Sequence, residues 1–370
     1  MGVREPALES LVMASRSFWA GKRVFLTGHT GFKGGWLALW LQTFGAKVFG
    51  YSLEPPTQPN LFETAQVAAG MDGVIADVRD GDRLRREVAN FGPDIIIHMA
   101  AQSLVRASYD DPVGTYETNV MGTVYLFEAA RRCPATRVVI NVTSDKCYEN
   151  REWAWGYREI DAMGGHDPYS SSKGCAELVT SAYIRSFFRP AGNGAMAASV
   201  RAGNVIGGGD WATNRLVPDV MRAFLAGRAV SIRHPHAVRP WQHVLEPLRG
   251  YLMLAERLWQ NGAEFAGGWN FGPHADDVQP VQNVLGLLRA ELGDGLRWEI
   301  TGKPDMRHEA GLLKLDTSKA QHFLGWQPVW RLRDALKATA TWYCGAQVGK
   351  GMRTMTLDQI SDYAAVSASN

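Results

Sequence analysis

Two residues four apart have the types needed to move a proton. Tyr169 and Lys173, in PYSSSKGCAEL, share one face of any helix that carries them. A lysine ammonium near a phenol favours the phenolate and lowers its pKa. A tyrosine tuned in this way takes a proton from an alcohol while hydride leaves the same carbon. Taken alone, Y-x-x-x-K is a frequent accident of sequence. A second group lies upstream, where the apolar run RVVINV ends in Thr143-Ser144-Asp145-Lys146-Cys147-Tyr148. It brings a hydroxyl, a carboxylate and an amine to one place. Ser144 would hydrogen-bond the reacting hydroxyl beside Tyr169, and Asp145 with Lys146 would serve as an acid/base pair. A solvated loop in which Asp145 and Lys146 neutralise each other is the plainer account of that pair in isolation.

A third group is the stretch Lys22 to Gly35, KRVFLTGHTGFKGG. Val24, Phe25 and Leu26 make a short apolar run, as a buried parallel strand does. Gly28, Gly31 and Gly34 follow, then the apolar helix-like run Trp36 to Leu41. Glycine lets a pyrophosphate approach the backbone, and a helix N-terminus adds free N–H groups and partial positive charge. The turn therefore reads as a dinucleotide seat. His29, Phe32 and Lys33 lie inside it, and the two basic ones are placed to meet a phosphate.

The elements that must position these groups alternate. Strands are expected at Ala46 to Tyr51, Asp94 to His98, Arg137 to Val142 and Ala197 to Val200. Helices are expected at Gly81 to Phe91, from near Pro112 to Arg132, and from about Tyr169 to Phe188. This order predicts an α/β fold: a Rossmann-type, doubly wound parallel sheet with helices on both faces. Ligands bind such sheets at the carboxyl ends of the strands, and all three groups fall there. From about Gly203 the pattern changes, with more Gly, Pro and Arg and shorter helices. Residues 1–17 read as an N-terminal extension and 18–203 as the dinucleotide-binding domain. Residues 204–345 read mainly as a smaller C-terminal substrate-binding domain, part of which is expected to rejoin the sheet. Residues 346–370 form a tail with no assignment.

The chain has 370 residues, 46% apolar and 21% charged, as a soluble globular protein does. Its net charge of +2 argues against nucleic acid or membrane as a partner. The N-terminus is not a secretory signal, and no segment has the length of a membrane span. The four cysteines show neither metal-ligand spacing nor a disulfide framework, so no metal is expected and a cytoplasmic location is the simplest inference. Thirteen tryptophans suit a sugar or base site, or simply a large core.

Together these motifs resemble the extended short-chain dehydrogenase/reductase family: the Gly-x-x-Gly-x-x-Gly turn, HMAA after a strand, Asn119 in a helix, and Y-x-x-x-K. The wording of GHTGFKGGWLALWL, TSDKCYENREWAWGYRE, DPYSSSKGCAEL, RAGNVIGGGDW and RPWQHVLEPLRGY resembles the CDP-glucose branch of its nucleotide-sugar 4,6-dehydratases, over roughly residues 18–345. The resemblance implies a reaction without net redox change on CDP-glucose, feeding deoxysugar synthesis for cell-surface polysaccharide. Tyr169, helped by Lys173 and Ser144, takes the 4-hydroxyl proton while hydride passes to NAD. Water is lost across carbons 5 and 6, and hydride returns to carbon 6. In the related dTDP-glucose enzymes an Asp–Glu pair performs the elimination; here Asp145 holds the acid position and Lys146 replaces the Glu. A lysine can act as base only after losing its proton. Otherwise it stabilises the developing enolate and another group is the base.

The resemblance also places Asp77 and Val78 at the adenine, and Ala100, Ala101 and Asn119 near the dinucleotide. By motif matching, Arg215, Arg239 and Asn270 fall at substrate contacts and Asn204 beside the sugar; arginine's planar fork suits phosphate. The end of the second strand reads Gly50-Tyr51-Ser52 without the acid usual for NAD, so residues alone leave NADP open while the resemblance favours NAD. A homodimer or homotetramer is implied, built on the helices near 112–132 and 169–188. The alternatives are a nucleotide-sugar 4-epimerase, a dehydratase for another nucleotide sugar, and, in a different class, a dinucleotide-binding sensor without catalysis. The Asp145-Lys146 pair separates the first from the dehydratases, and the presence of Tyr169, Lys173 and Ser144 speaks against the last.

Overall fold

The computed structural model describes residues 16–188, 194–301 and 310–369. Most of the expected N-terminal extension lies outside them. Seven parallel strands form the central sheet: β1 Arg23–Thr27, β2 Lys47–Ser52, β3 Asp72–Ile75, β4 Ile95–His98, β5 Val138–Val142, β6 Met196–Ala202 and β7 Gly267–Phe271. Their order is β7-β6-β5-β4-β1-β2-β3, so successive strands run outward in opposite directions from the boundary between β1 and β4. Val24 stands between Val48 and Ile95, and Ile95 beside Val138.

The apolar strand cores explain the two layers. Side chains alternate across a strand with period two. Val24, Leu26, Ile95 and Ile97 thus face one core, which includes Trp36, Leu37 and Leu41 of helix α1 (Phe32–Thr43). Phe25, Ile96 and Val139 face the other core, with Leu84 and Val88 of α2 (Gly81–Phe91).

β3 lies at the sheet edge with only intermediate or exposed positions, which is why its short DGVI run lacks a strand's alternation. The expected third strand, DIIIH, is therefore the fourth. The helix expected over 112–132 runs as α3 (Pro112–Tyr116), a π turn (Glu117–Met121) and α4 (Gly122–Arg131). α5 (Pro168–Ser186) carries Tyr169 and Lys173; Asp167 caps its N-terminus, and Pro168 occupies the first turn.

Beyond residue 203 the chain forms short paired strands, α6 (Leu216–Leu225) and α7 (Leu245–Asn261), and then returns to the sheet as β7 beside β6. The tail left without assignment contains a helix, α9 (Met352–Ser369), which follows α8 (Leu332–Gln347). It is tied down where the Tyr363 hydroxyl donates to Glu246 of α7 at 2.7 Å. Many tryptophans serve the core: Trp19, Trp36, Trp269, Trp326 and Trp342 are fully buried.

Candidate active site

The glycine turn follows from close approach. Gly28 has φ +78°, and a Cβ there would lie 2.8 Å from the Ala100 nitrogen on the next strand's loop. A Cβ on Gly34 would run into the Gly28 carbonyl. Neither place admits a side chain. α1 begins beside them with no side-chain cap and no acidic residue in its first turn. Its first N–H groups and its dipole remain available to an anion. Gly28, Gly31, Phe32, Lys33 and Gly34 line one end of a cavity of about 1200 Å³. It runs across the strand ends at the β1–β4 switch point to α6 and Val230–His234.

Asp77, Val78, Ala100 and Ala101 also line this cavity. Asp77 receives 2.9 and 2.6 Å hydrogen bonds from the Arg79 guanidinium, which holds its carboxyl below the ordinary range. Two expected cofactor contacts are corrected. His29 turns away from the cavity: it is 3% exposed, edge-on to Phe62, and its ring occupies the space over Gly50. Burial pushes its pKa down to about 4, so it is neutral and offers a phosphate no charge. The missing side chain at Gly50 on β2 is the room that His29 fills.

Asn119, in the π turn, is buried behind the site. Its Oδ1 accepts from the Gln102 nitrogen at 2.9 Å, and its Nδ2 donates to the Gln102 carbonyl at 2.9 Å and to Ser172 at 2.8 Å. It ties the loop after β4 to α5 and so shapes the cavity indirectly.

The residues expected to react share this cavity. Ser144, Asp145, Lys146, Tyr169 and Lys173 all line it. Ser144 donates to the Asp145 carboxylate at 3.0 Å and accepts from the Lys146 backbone N–H at 3.2 Å. Burial raises the Asp145 pKa, against Lys146, Ser144 and Arg239. A carboxyl so placed is suited to carry a proton.

The expected effect of Lys173 on Tyr169 is not met in this arrangement. Lys173 donates to the Val142 carbonyl at 3.3 Å. Burial drives Tyr169 up to about 12, and hydrogen bonding with Ser144 is the main opposing influence. Burial also lowers Lys173 to about 8.

Lys33 reaches further than a phosphate contact. Its ammonium donates to the Tyr251 hydroxyl of α7 at 2.8 Å. Burial, with help from the nearby Lys173, lowers its pKa to about 7. Sequence reasoning placed it in the phosphate turn alone; its aliphatic stem carries the charge to the reacting groups.

On the substrate side, Asn204, Arg215 and Arg239 line the cavity. Arg215 is held by Asp210 at 2.9 Å and Ser103 at 3.0 Å, and Arg239 by the Val238 and Gly311 carbonyls. With Lys33 and Lys173 they give the cavity a cationic wall, complementary to a diphosphate. Asn270 is corrected: it is fully buried on β7, outside the cavity lining. Its Nδ2 donates to the Tyr157 and Asp316 carbonyls, and its Oδ1 accepts from the Tyr148 hydroxyl at 2.8 Å. Those bonds brace the β7 end and use both hydrogens of the amide nitrogen. Tyr251 is buried under Lys33, while Trp241 reaches the cavity wall.

Comparison with known proteins agrees with this geometry. A profile of the GDP-mannose 4,6 dehydratase family matches residues 25–339. The CDP-glucose 4,6-dehydratase of Salmonella typhimurium is 52% identical over 96% of this chain and 99% of that protein. A dTDP-glucose 4,6-dehydratase of Xanthomonas campestris is 24% identical over 86% and 92%. Among solved structures, the epimerase Mth375 of Methanothermobacter thermautotrophicus superposes with a TM-score of 0.78 at 19% identity, covering 93% of this chain and 98% of that one. DesIV of Streptomyces venezuelae, a dTDP-glucose 4,6-dehydratase with NAD and TYD bound, gives 0.73 at 24%, covering 89% and 98%.

Proposed function

This chain belongs to the GDP-mannose 4,6-dehydratase family of extended short-chain dehydrogenase/reductases, and from that premise we propose that it dehydrates CDP-D-glucose to CDP-4-dehydro-6-deoxy-D-glucose. It is a hydro-lyase with NAD as its cofactor. The reading is carried by one observation: Asp145 and Lys146 share a single cavity with Tyr169 and Lys173. The second pair alone serves oxidation at carbon 4; adding the first supplies an acid and a base for elimination.

NAD, when bound, accepts the hydride of carbon 4 and gives it back at carbon 6. Gly28, Gly31, Gly34 and the α1 N-terminus would hold its diphosphate, with Asp77 and Val78 towards the adenine. The protein's own residues handle protons and position. Tyr169 takes the proton of the 4-hydroxyl while Ser144 holds that oxygen. The ketone formed acidifies the proton on carbon 5. Lys146, as the free amine, removes that proton, and the C–H electron pair becomes the carbon 5–6 double bond. The carbon 6–oxygen bond breaks towards oxygen, and Asp145 gives its proton so that water leaves. Lys146 returns the proton to carbon 5. Arg215 and Arg239 bind the substrate diphosphate, and Asn204 lies beside the sugar.

Purified protein, NAD and CDP-glucose should yield a 4-keto-6-deoxy product. CDP-galactose without a keto product would instead identify a 4-epimerase. Turnover of CDP-, dTDP- and UDP-glucose side by side reads the base preference, with CDP-glucose expected to lead.

The protein would act as a homodimer or homotetramer. Val113 and Tyr116 on α3, Met121 in the π turn and Leu178 on α5 are 67%, 37%, 40% and 60% exposed. A surface with such apolar side chains on neighbouring helices suits a second copy. We place the reaction in the cytoplasm, in keeping with four free cysteines.

A further inference from the structure

A buried ion pair behind the site has no part in the mechanism above. Glu177 lies on α5 one turn beyond Lys173, and Arg201 lies on β6; both side chains are 4% exposed. Arg201 donates to both Glu177 oxygens, at 2.9 and 2.6 Å. Glu177 also accepts from Thr143 at 2.5 Å and from Ser199 at 2.6 Å. Arg201 continues to the Tyr148 hydroxyl at 2.6 Å. Tyr148 in turn donates to Asn270 of β7.

Burying two charges costs several kcal/mol each before their attraction offsets it, and such a pair is a poor source of net stability. Its placement is more informative. Thr143 immediately precedes Ser144-Asp145-Lys146 at the end of β5, while Glu177 shares a helix with Tyr169 and Lys173. The carboxylate therefore joins the element that bears the oxidation pair to the segment that bears the elimination pair. It is also one helical turn from the Lys173 ammonium.

We propose that Glu177 is a positioning residue for both halves of the reaction: locked to Arg201, it fixes Thr143, and with it Ser144 and Asp145, relative to Tyr169, and it supplies the counter-charge of Lys173. The charged and titratable groups around Lys173 are few. Glu177 lies on its own helix, Cys147 follows β5, Lys33 comes from α1 and His98 from β4. Burial keeps Cys147 a thiol and His98 neutral, and Lys33 repels. Glu177 is the carboxylate among them, and it works against the desolvation that draws Lys173 down to about 8.

The inference rests on the hydride-transfer role of Tyr169 and Lys173. Its test is the pH profile of kcat for Glu177→Gln, in the full-length protein with NAD and CDP-glucose. Removing the carboxylate charge should move the alkaline limb, where Lys173 loses its proton, about one unit lower, a loss of roughly tenfold in kcat on that limb. KM for CDP-glucose should change little, because Glu177 does not line the cavity. Glu177→Asp keeps the charge but withdraws the carboxylate from Thr143; it should lower kcat while leaving the limb where it is. If Glu177→Gln fails to fold around an unpaired Arg201, Glu177→Gln with Arg201→Met removes both charges, and the same displaced limb is expected. An unmoved limb in whichever glutamine variant folds, or Glu177→Asp displacing the limb as much as Glu177→Gln, would overturn the proposal. A wild-type protein that forms no keto product defeats the dehydratase reading instead, while the limb can still be followed in any hydride transfer it performs.

Discussion

The Lys33 ammonium donates a 2.8 Å hydrogen bond to the hydroxyl of Tyr251, joining the phosphate turn to a helix 218 residues later in the chain. Tyr251 is fully buried and Lys33 partly so, and desolvation brings the lysine pKa from 10.5 down to about 7. Between those two values the unfolded chain holds a proton that the folded protein lacks, so stability rises with pH across that window. Below pH 7 both states are charged, and the fold bears the full cost of the buried ammonium. Lys33→Met should therefore stabilise the NAD-free protein at pH 6 by about 2 kcal/mol after the lost Tyr251 bond is counted, seen as a higher melting point. The gain should shrink towards pH 10. Melting curves at the two pH values decide it: equal gains would mean that the amine does not titrate inside the fold.

Tyr169→Phe removes the proton acceptor and little else. The variant should bind NAD as the wild type does, by fluorescence titration, and turn over CDP-glucose 10²- to 10⁴-fold more slowly, the ordinary contribution of a positioned acid/base. Unimpaired turnover would strip Tyr169 of the role of base.

Asp145→Asn and Lys146→Ala separate oxidation from elimination. In each, hydride should still leave carbon 4, and elimination should slow by roughly 10²-fold or more. Reduced cofactor should then accumulate in stopped-flow absorbance. Normal product formation by Lys146→Ala would remove that lysine from the elimination and turn attention to another base.

Leu178→Glu places a charge on the exposed face of α5, where the native leucine is 60% exposed. Light scattering should show a shift towards monomer, with the stability of the monomer itself changed by about 0.5 kcal/mol or less. An oligomer of unchanged mass would move the interface elsewhere.

The parallel sheet and the gathering of Ser144, Asp145, Lys146, Tyr169 and Lys173 around one cavity were legible because each obeys a short-range rule. Runs such as IIIH and VVINV are buried on both faces, and glycines at 28 and 34 stand where no Cβ fits. What escaped depends on long-range packing. His29 and Asn270 carry the right chemistry in the right motifs, yet one fills the gap over Gly50 and the other spends its polar atoms on Tyr148, Tyr157 and Asp316. Neither fate is written in neighbouring residues. Glu177 and Arg201 left a faint signal: a charge amid the apolar and small residues of PYSSSKGCAELV, and another inside the strand ASVRA. A buried charge must have a partner, but sequence does not say which one.

The seventh strand has a consequence for how the protein is made. β7 is the edge neighbour of β6, yet its residues lie far beyond it in the chain, after α6 and α7. While the ribosome is still extending the later segment, β6 has an open edge, and unpaired edges invite pairing with other chains. The first 203 residues are thus not a module that can be excised and expressed by itself. A nascent chain halted there has an incomplete sheet, and soluble folding waits for the segment that supplies β7.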